Sequence, residues 1–338
     1  LEFYELRYSG NGAAFLRAFR AFYLGVVFNV MVIATVALAG IKIGATLLDL
    51  TPIQTLLIAS LVTVTYSSFG GLKGIIWTDF VQFGLAMIGS IWATIYIVNM
   101  PEVGGLTALI SHENVSDKLQ IIPSFSDKKT FLTLIIIPFA VQWWAAYYPG
   151  AEPGGGGYIA QRMLAAKNER NAMGATLLFN ILHYALRPWP WILIALASLV
   201  VFPNLDSIAQ AFPDISSKVI NDDLAYPAML TYLPKGLLGL VVASLIGAFM
   251  STISTQLNWG SSYIVNDLYQ RFIAPDASES SKVMVGRFST IILMVLGAGV
   301  ALLLDSAAEA FGFIILLGAG TGLLFILRWF WWRINAMS

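Results

Sequence analysis

GLLGLVVASLIGAFMSTISTQLNWGSSYIV, residues 236–265, decides how the rest of this chain is read. The stretch carries no charged residue and exceeds the roughly 20 apolar residues that an α-helix needs to cross a bilayer's hydrocarbon core. It nevertheless holds AFMSTISTQLN, residues 248–258, at its centre. Ser251, Ser254 and Thr255 fall at i, i+3 and i+4, so their hydroxyls share one helical face, with Thr252 one step round. In a dehydrated interior such a face can replace the water around a hard cation such as sodium, above all where a broken helix frees carbonyls nearby. The same residue types also bond back to their own backbone or tie helices together. Both readings stand at this point.

Outward from that segment, similar windows follow one another along the chain. Apolar runs at 21–41, 51–69, 75–98, 130–148, 173–201, 236–265, 287–304 and 308–327 predict eight membrane-spanning helices in one polytopic domain, 1–338. Glycines at 70, 71, 104, 105 and 154–157, with Pro52, Pro101, Pro203, Pro213 and Pro234, mostly punctuate between the windows. Of the 338 residues, 58% are hydrophobic and 11% charged, against about 25% charged in soluble domains. A water-soluble protein is thereby excluded, and the fold class is all-α integral membrane. Zero net charge leaves no basic face for nucleic acid and no acidic tail. The lack of cysteine rules out disulfides and thiolate metal sites.

Basic residues near helix ends are retained on the cytoplasmic side. Arg7, Arg17, Arg20, Lys73, Arg162, Lys167, Arg170, Arg271, Lys282, Arg287, Arg328 and Arg333 fall in one set of alternate connections. Lys42, Lys118, Lys128, Lys129, Lys218 and Lys235 fall in the other. The first set outnumbers the second two to one, which predicts both ends of the chain inside. Trp329, Phe330, Trp331 and Trp332 then read as an interfacial aromatic belt at the inner surface.

Asp79 lies in GGLKGIIWTDFVQ, residues 70–82, in a segment otherwise apolar to Val98 apart from Gln82. A carboxylate inside a membrane helix is costly and usually faces a cavity or a partner. With Thr78 it could instead cap the helix start, and cation ligand and cap remain open. PFAVQWWAAYYPGAEPGGGGYIAQR, residues 138–162, joins an apolar helix to four consecutive glycines and three prolines, which a continuous helix does not accommodate. Broken helices are where transporters place binding sites, so Gln142, Trp143, Trp144, Tyr147 and Tyr148 are candidate substrate contacts. Equally, the glycines could form a surface linker after a helix ending at Tyr148. Arg187 interrupts an apolar window ahead of Pro188 and Pro190, and an unpaired guanidinium there would be expensive. Glu152 is the candidate partner, as a structural ion pair or as a gate. His183, one turn earlier, reads as a packing residue. No metal-spaced His/Asp/Glu cluster, nucleophile elbow, H-E-x-x-H or nucleotide fingerprint occurs, so no residue is assigned a catalytic role and the chain does not read as an enzyme.

Three segments in order, GGLKGIIWTDFVQ, GYIAQRMLAAK at 157–167, and MSTISTQLN with VNDLYQRF at 265–272, resemble the sodium:solute symporter family. The resemblance implies a leucine-transporter-like inverted-repeat bundle of ten core helices around a midplane site. By the motifs, residues 1–20 would precede core helix three, the eight helices would be core helices three to ten, and the first core helices would be missing from the chain. It implies Na+ as coupling ion, bound by the Ala248 carbonyl with the Ser251 and Thr252 hydroxyls. It further implies a second sodium site of Asp79, Ser251, Ser254 and Thr255, deeper toward the cytoplasm, as in some members. AEPGGGG and RPWPW depart from the sugar and proline members, so substrate identity does not carry over. The resulting expectation is a cell-membrane symporter that moves a small polar organic solute with sodium by alternating access. A transporter-like sensor module and an ion channel are the alternative readings.

Overall fold

The computed structural model describes residues 1–120, 122–137, 139–140, 162–216, 219–306, 310, 312–314 and 322–338, with side chains except at 66, 68–75, 322–323 and 325–326. Among the described residues the architecture is helical. The long elements are α1 (Gly10–Leu47), α2 (Pro52–Val98), α3 (Glu169–Val201), α4 (Lys235–Ile273) and α5 (Glu279–Ala301), followed by the shorter α6 (Gly322–Phe330). Among the described residues five stretches are long and apolar enough to cross a membrane: α1, Ile76–Val98 of α2, α3, α4 and α5; Pro52–Thr65 is a shorter apolar helix. The chain is thus a multi-pass membrane protein. Leu61, Trp92, Phe288 and Val295 point outward, toward what a bilayer makes an apolar solvent rather than a liability.

Local chemistry sets where these helices begin. Thr51 accepts from the Gln54 amide while the Gln54 side chain reaches back to the Thr51 amide, a capping box with Pro52 in the first turn. Asn168 caps α3 and Ser278 caps α5 in the same sense. The windows at 173–201, 236–265 and 287–304 are found within or close to α3, α4 and α5, which start or end several residues beyond them. Those at 130–148 and 308–327 lie partly outside the described residues, with Lys128–Phe131 and Leu132–Ile136 opening the first.

Windows 51–69 and 75–98 are joined in one helical stretch, α2, where the sequence predicts two helices. The stretch does not run straight. On a straight helix Thr63 and Asp79 would be about 24 Å apart. Yet Val62 and Thr63 share a small apolar cavity with Phe249 and Met250 of α4, and Asp79 bonds Ser251 of the same helix. The first arm packs Thr55 against Gly44 and Leu56 beside Ile41 of α1, and the second packs Gln82 against Gly247 and Gly89 against Val241. The first arm thus packs on α1 and the second on α4; of the two predicted spans, Ile76–Val98 is long and apolar enough to cross a membrane and Pro52–Thr65 is shorter.

α1 and α4 cross where each contains a wide π-helical turn, Tyr23–Phe28 and Tyr263–Ile273. A Cβ on Gly25 would stand 2.9 Å from the Tyr263 Cβ, so the approach depends on glycine. Ile33, Ile253, Leu257 and Leu293 close the core at this crossing. A larger cluster, with Ile97, Ile194, Met229, Leu237 and Val241, seals the end remote from the termini under the short helices Leu106–Ser111, Leu205–Ala211 and Ala225–Leu230. At the other end both termini meet, for Arg7 donates to the Arg328 carbonyl and Gly12 packs against Ala336.

Candidate functional site

The hydroxyl face of α4 is met by the second arm of α2. Gly247 makes this possible: a Cβ there would lie 3.2 Å from the Gln82 Cγ, so its absence lets the two helices close. Asp79 then reaches α4, and the Ser251 hydroxyl donates to its Oδ1 at 2.6 Å. Asp79 sits inside the helical stretch α2, and its carboxylate is turned to the Ser251 hydroxyl of α4. Gln82, one turn further on the same face, holds its Oε1 buried with no hydrogen-bond partner among the described residues.

The remaining hydroxyls make local bonds that leave their oxygen lone pairs available. Thr252 donates from Oγ1 to the Ala248 carbonyl at 3.1 Å, which holds two of the expected first-site oxygens side by side. Ser254, fully buried, donates to the Ser251 carbonyl at 3.1 Å. These are the back-bonds that the structural reading of the cluster expects. They coexist with the convergence on Asp79, because a hydroxyl that donates to a carbonyl can still accept from, or ligate, another group.

One member of the constellation was not singled out in the sequence. Arg162 donates from Nη2 to Thr255 Oγ1 at 3.1 Å, and the same nitrogen lies 3.7 Å from Asp79 Oδ2. Its signal was present in GYIAQR, read there only as part of a motif. Asp79 and Arg162 are about a quarter exposed, and both line a cavity of about 350 Å³ with Phe80, Phe83, Phe179, His183 and Arg187. In the cavity wall, Arg187 Nη1 is 3.0 Å from His183 Nδ1 and its guanidinium lies 5.2 Å from the Trp191 ring centre. The expected partner Glu152, and the candidate substrate contacts Gln142, Trp143, Trp144, Tyr147 and Tyr148, lie outside the described residues.

The arrangement offers a carboxylate from α2 with four side-chain hydroxyls and a helix carbonyl within two turns of α4, beside a largely apolar cavity in a membrane helix bundle into whose wall Asp79, Arg162, His183 and Arg187 bring their polar groups. Such a donor set is all oxygen, the ligand type that hard monovalent and divalent cations take. Over 98% of its length the chain is 26% identical to a sodium/glucose cotransporter of Vibrio parahaemolyticus, 61% of which it covers. It is 32% identical over 257 residues to a sodium/myo-inositol cotransporter 2 of Rattus norvegicus, covering 69% of this chain and 36% of that one. The chain thus spans less than two thirds of the length of these relatives. Its fold matches that of a Na+-coupled sialic acid symporter solved substrate-bound and outward-open, with a TM-score of 0.72 at 23% identity over all of this chain and 67% of that one. The bundle is therefore leucine-transporter-like, as the motifs imply. The family profile of the sodium:solute symporters matches residues 3–337, and the chain belongs to the sodium:solute symporter family.

Proposed function

We propose that this chain forms core helices three to ten of a sodium-coupled symporter for a small polar organic solute, with both chain ends on the cytoplasmic side of the cell membrane. The observation that carries this reading is the 2.6 Å bond between Ser251 and Asp79, which aims a membrane carboxylate at a hydroxyl face. The Ala248 carbonyl, Ser251 and Thr252 hold a first sodium ion. Asp79, Ser251, Ser254 and Thr255 hold a second, for which the carboxylate balances the ion's charge locally. Ser251 belongs to both and links them. Sodium entering down its gradient favours the conformation that takes up solute, and the two leave together. Family membership sets this ahead of the sensor and channel readings.

The experiment is uptake by the protein in proteoliposomes, with a panel of sugars, polyols, amino acids and sugar acids. At least one solute should accumulate under an inward sodium gradient and fail to do so when potassium replaces sodium. Accumulation that persists without sodium would refute coupling.

A further inference from the structure

We infer that Arg162 is a tethered counter-cation of the Asp79 site, whose guanidinium holds the place of the second sodium ion and has to leave for that ion to enter. The inference rests on the assignment of Asp79, Ser251, Ser254 and Thr255 to sodium, and adds what controls access to them.

Each group of that set already makes a bond or an ion pair. Asp79 Oδ1 accepts from Ser251, Oδ2 faces Arg162, Thr255 Oγ1 accepts from Arg162, and the Ser254 hydroxyl donates to the Ser251 carbonyl. One carboxylate and one guanidinium make a neutral pair. Adding a sodium ion beside them would put two cations on a single carboxylate in a partly desolvated site, where like charges repel strongly. The ion and the guanidinium therefore compete for the same two groups, the Asp79 carboxylate and the Thr255 oxygen. Exchange is sterically open, because Arg162 already lines the cavity of about 350 Å³ beside Asp79 and its long side chain can turn into that space. The pair is also about a quarter exposed on both sides, so breaking it does not strand a charge in a dry core.

The exchange has a directional consequence. Arg162 lies on the chain segment that leads into α3. Sodium arrival at Asp79 is thereby converted into release of a strand of chain from α2 and α4, and by reciprocity anything that draws Arg162 away raises the affinity for sodium.

The test is sodium titration of purified protein, read as the rise in unfolding temperature and as the sodium dependence of transport. Arg162→Gln should lower the half-saturating sodium concentration about fivefold, the ratio carried by a partly screened ion pair. Arg162→Lys, which keeps the competing charge, should stay within about twofold of the wild type on the same scale. In an Asp79→Asn background, Arg162→Gln should produce no further change. An unchanged or raised half-saturation in Arg162→Gln, or a shift in Arg162→Lys as large as that in Arg162→Gln, overturns the exchange. If Asp79→Asn alone leaves sodium dependence untouched, the assignment of the second ion fails instead; if it weakens sodium binding while Arg162→Gln does not strengthen it, only the exchange fails. Should Arg162→Gln not fold, methylguanidinium added to folded Arg162→Ala decides the matter: it should compete with sodium there and not in the wild type, and equal effects on both overturn the proposal.

Discussion

Lys42, near the end of α1 remote from the termini, is 2% exposed, pairs with Asp223 of the covering loop, and also donates to the Asp305 carbonyl, which Asn221 bonds as well. Asp79 and Arg162, toward the terminal end, form the looser pair: 3.7 Å apart, about a quarter exposed, and beside a cavity. The first pair ties three segments over a closed apolar cluster, and its lysine has nowhere to go. The second has a space to move into and a set of hydroxyls that could take another cation. Burial thus separates a clamp from an exchangeable pair, although each joins one acid to one base.

The largest effect that sharpens this contrast is expected at the clamp. Asp223→Asn leaves Lys42 buried without its carboxylate and should cost about 3 kcal/mol of stability, read as a fall in unfolding temperature in detergent. Lys42→Met should cost clearly less, because it removes the buried charge and leaves only Asp223, which reaches solvent. Equal losses in the two variants would break the comparison. Next comes the crossing of α1 and α4 that both regions lean on. A Cβ on Gly260 would lie 2.8 Å from both the Gly25 carbonyl and Leu293 Cδ1, so Gly260→Ala should cost about 1–3 kcal/mol. Gly89→Ala, where the nearest atoms are at 3.5 Å or more, should be tolerated in the same measurement.

At the exchangeable pair the effects are on sodium rather than on stability. Ser251→Ala deletes a hydroxyl common to both proposed ions and should raise half-saturating sodium about tenfold. Thr252→Ala, which touches one ion only, should raise it about threefold, on the scale of a hydrogen-bonding group of about 1 kcal/mol. Unchanged sodium dependence in both would reduce the hydroxyl face to packing. The smallest effect concerns the contact between Glu5 and Arg271 at the terminal end, where the Arg271 bond holds the Glu5 carboxyl below its usual range near 4.5. A lowered carboxyl stabilises the folded state at neutral pH, and that contribution is lost as pH falls through the lowered titration point. Arg271 is about half exposed, while Arg17 holds the same carboxylate at 2.6 Å from a largely buried position, so Arg271→Gln should lower the unfolding temperature only slightly at neutral pH and not at all below that point, read from unfolding temperatures across pH.

Much of the fold was legible because hydrophobic length alone marks helices that must satisfy their backbone inside a bilayer. The hydroxyl face of α4 was legible from i, i+3, i+4 spacing, which is local. Three features were not, and each depends on contacts far apart in sequence. The turn between the arms of α2 shows only in where Thr63 and Asp79 meet α4. Lys42 reads as a connection charge by composition, but its helix carries it inward until Asp223 covers it. Arg162 reads as one more basic residue retained on the inner side, and nothing in GYIAQR announces that Thr255, distant in sequence, would accept its hydrogen bond. Spacing rules report what one helix presents; they do not report which cation another segment brings to it.

The account turns on Asp79 as the ligand of a second transported ion, and the most direct measurement is the reversal potential of solute-coupled current in the wild type and in Asp79→Asn. Two sodium ions per solute should be found in the wild type, falling toward one in Asp79→Asn. A ratio near one in the wild type, or a ratio above one that Asp79→Asn leaves unchanged, would contradict it.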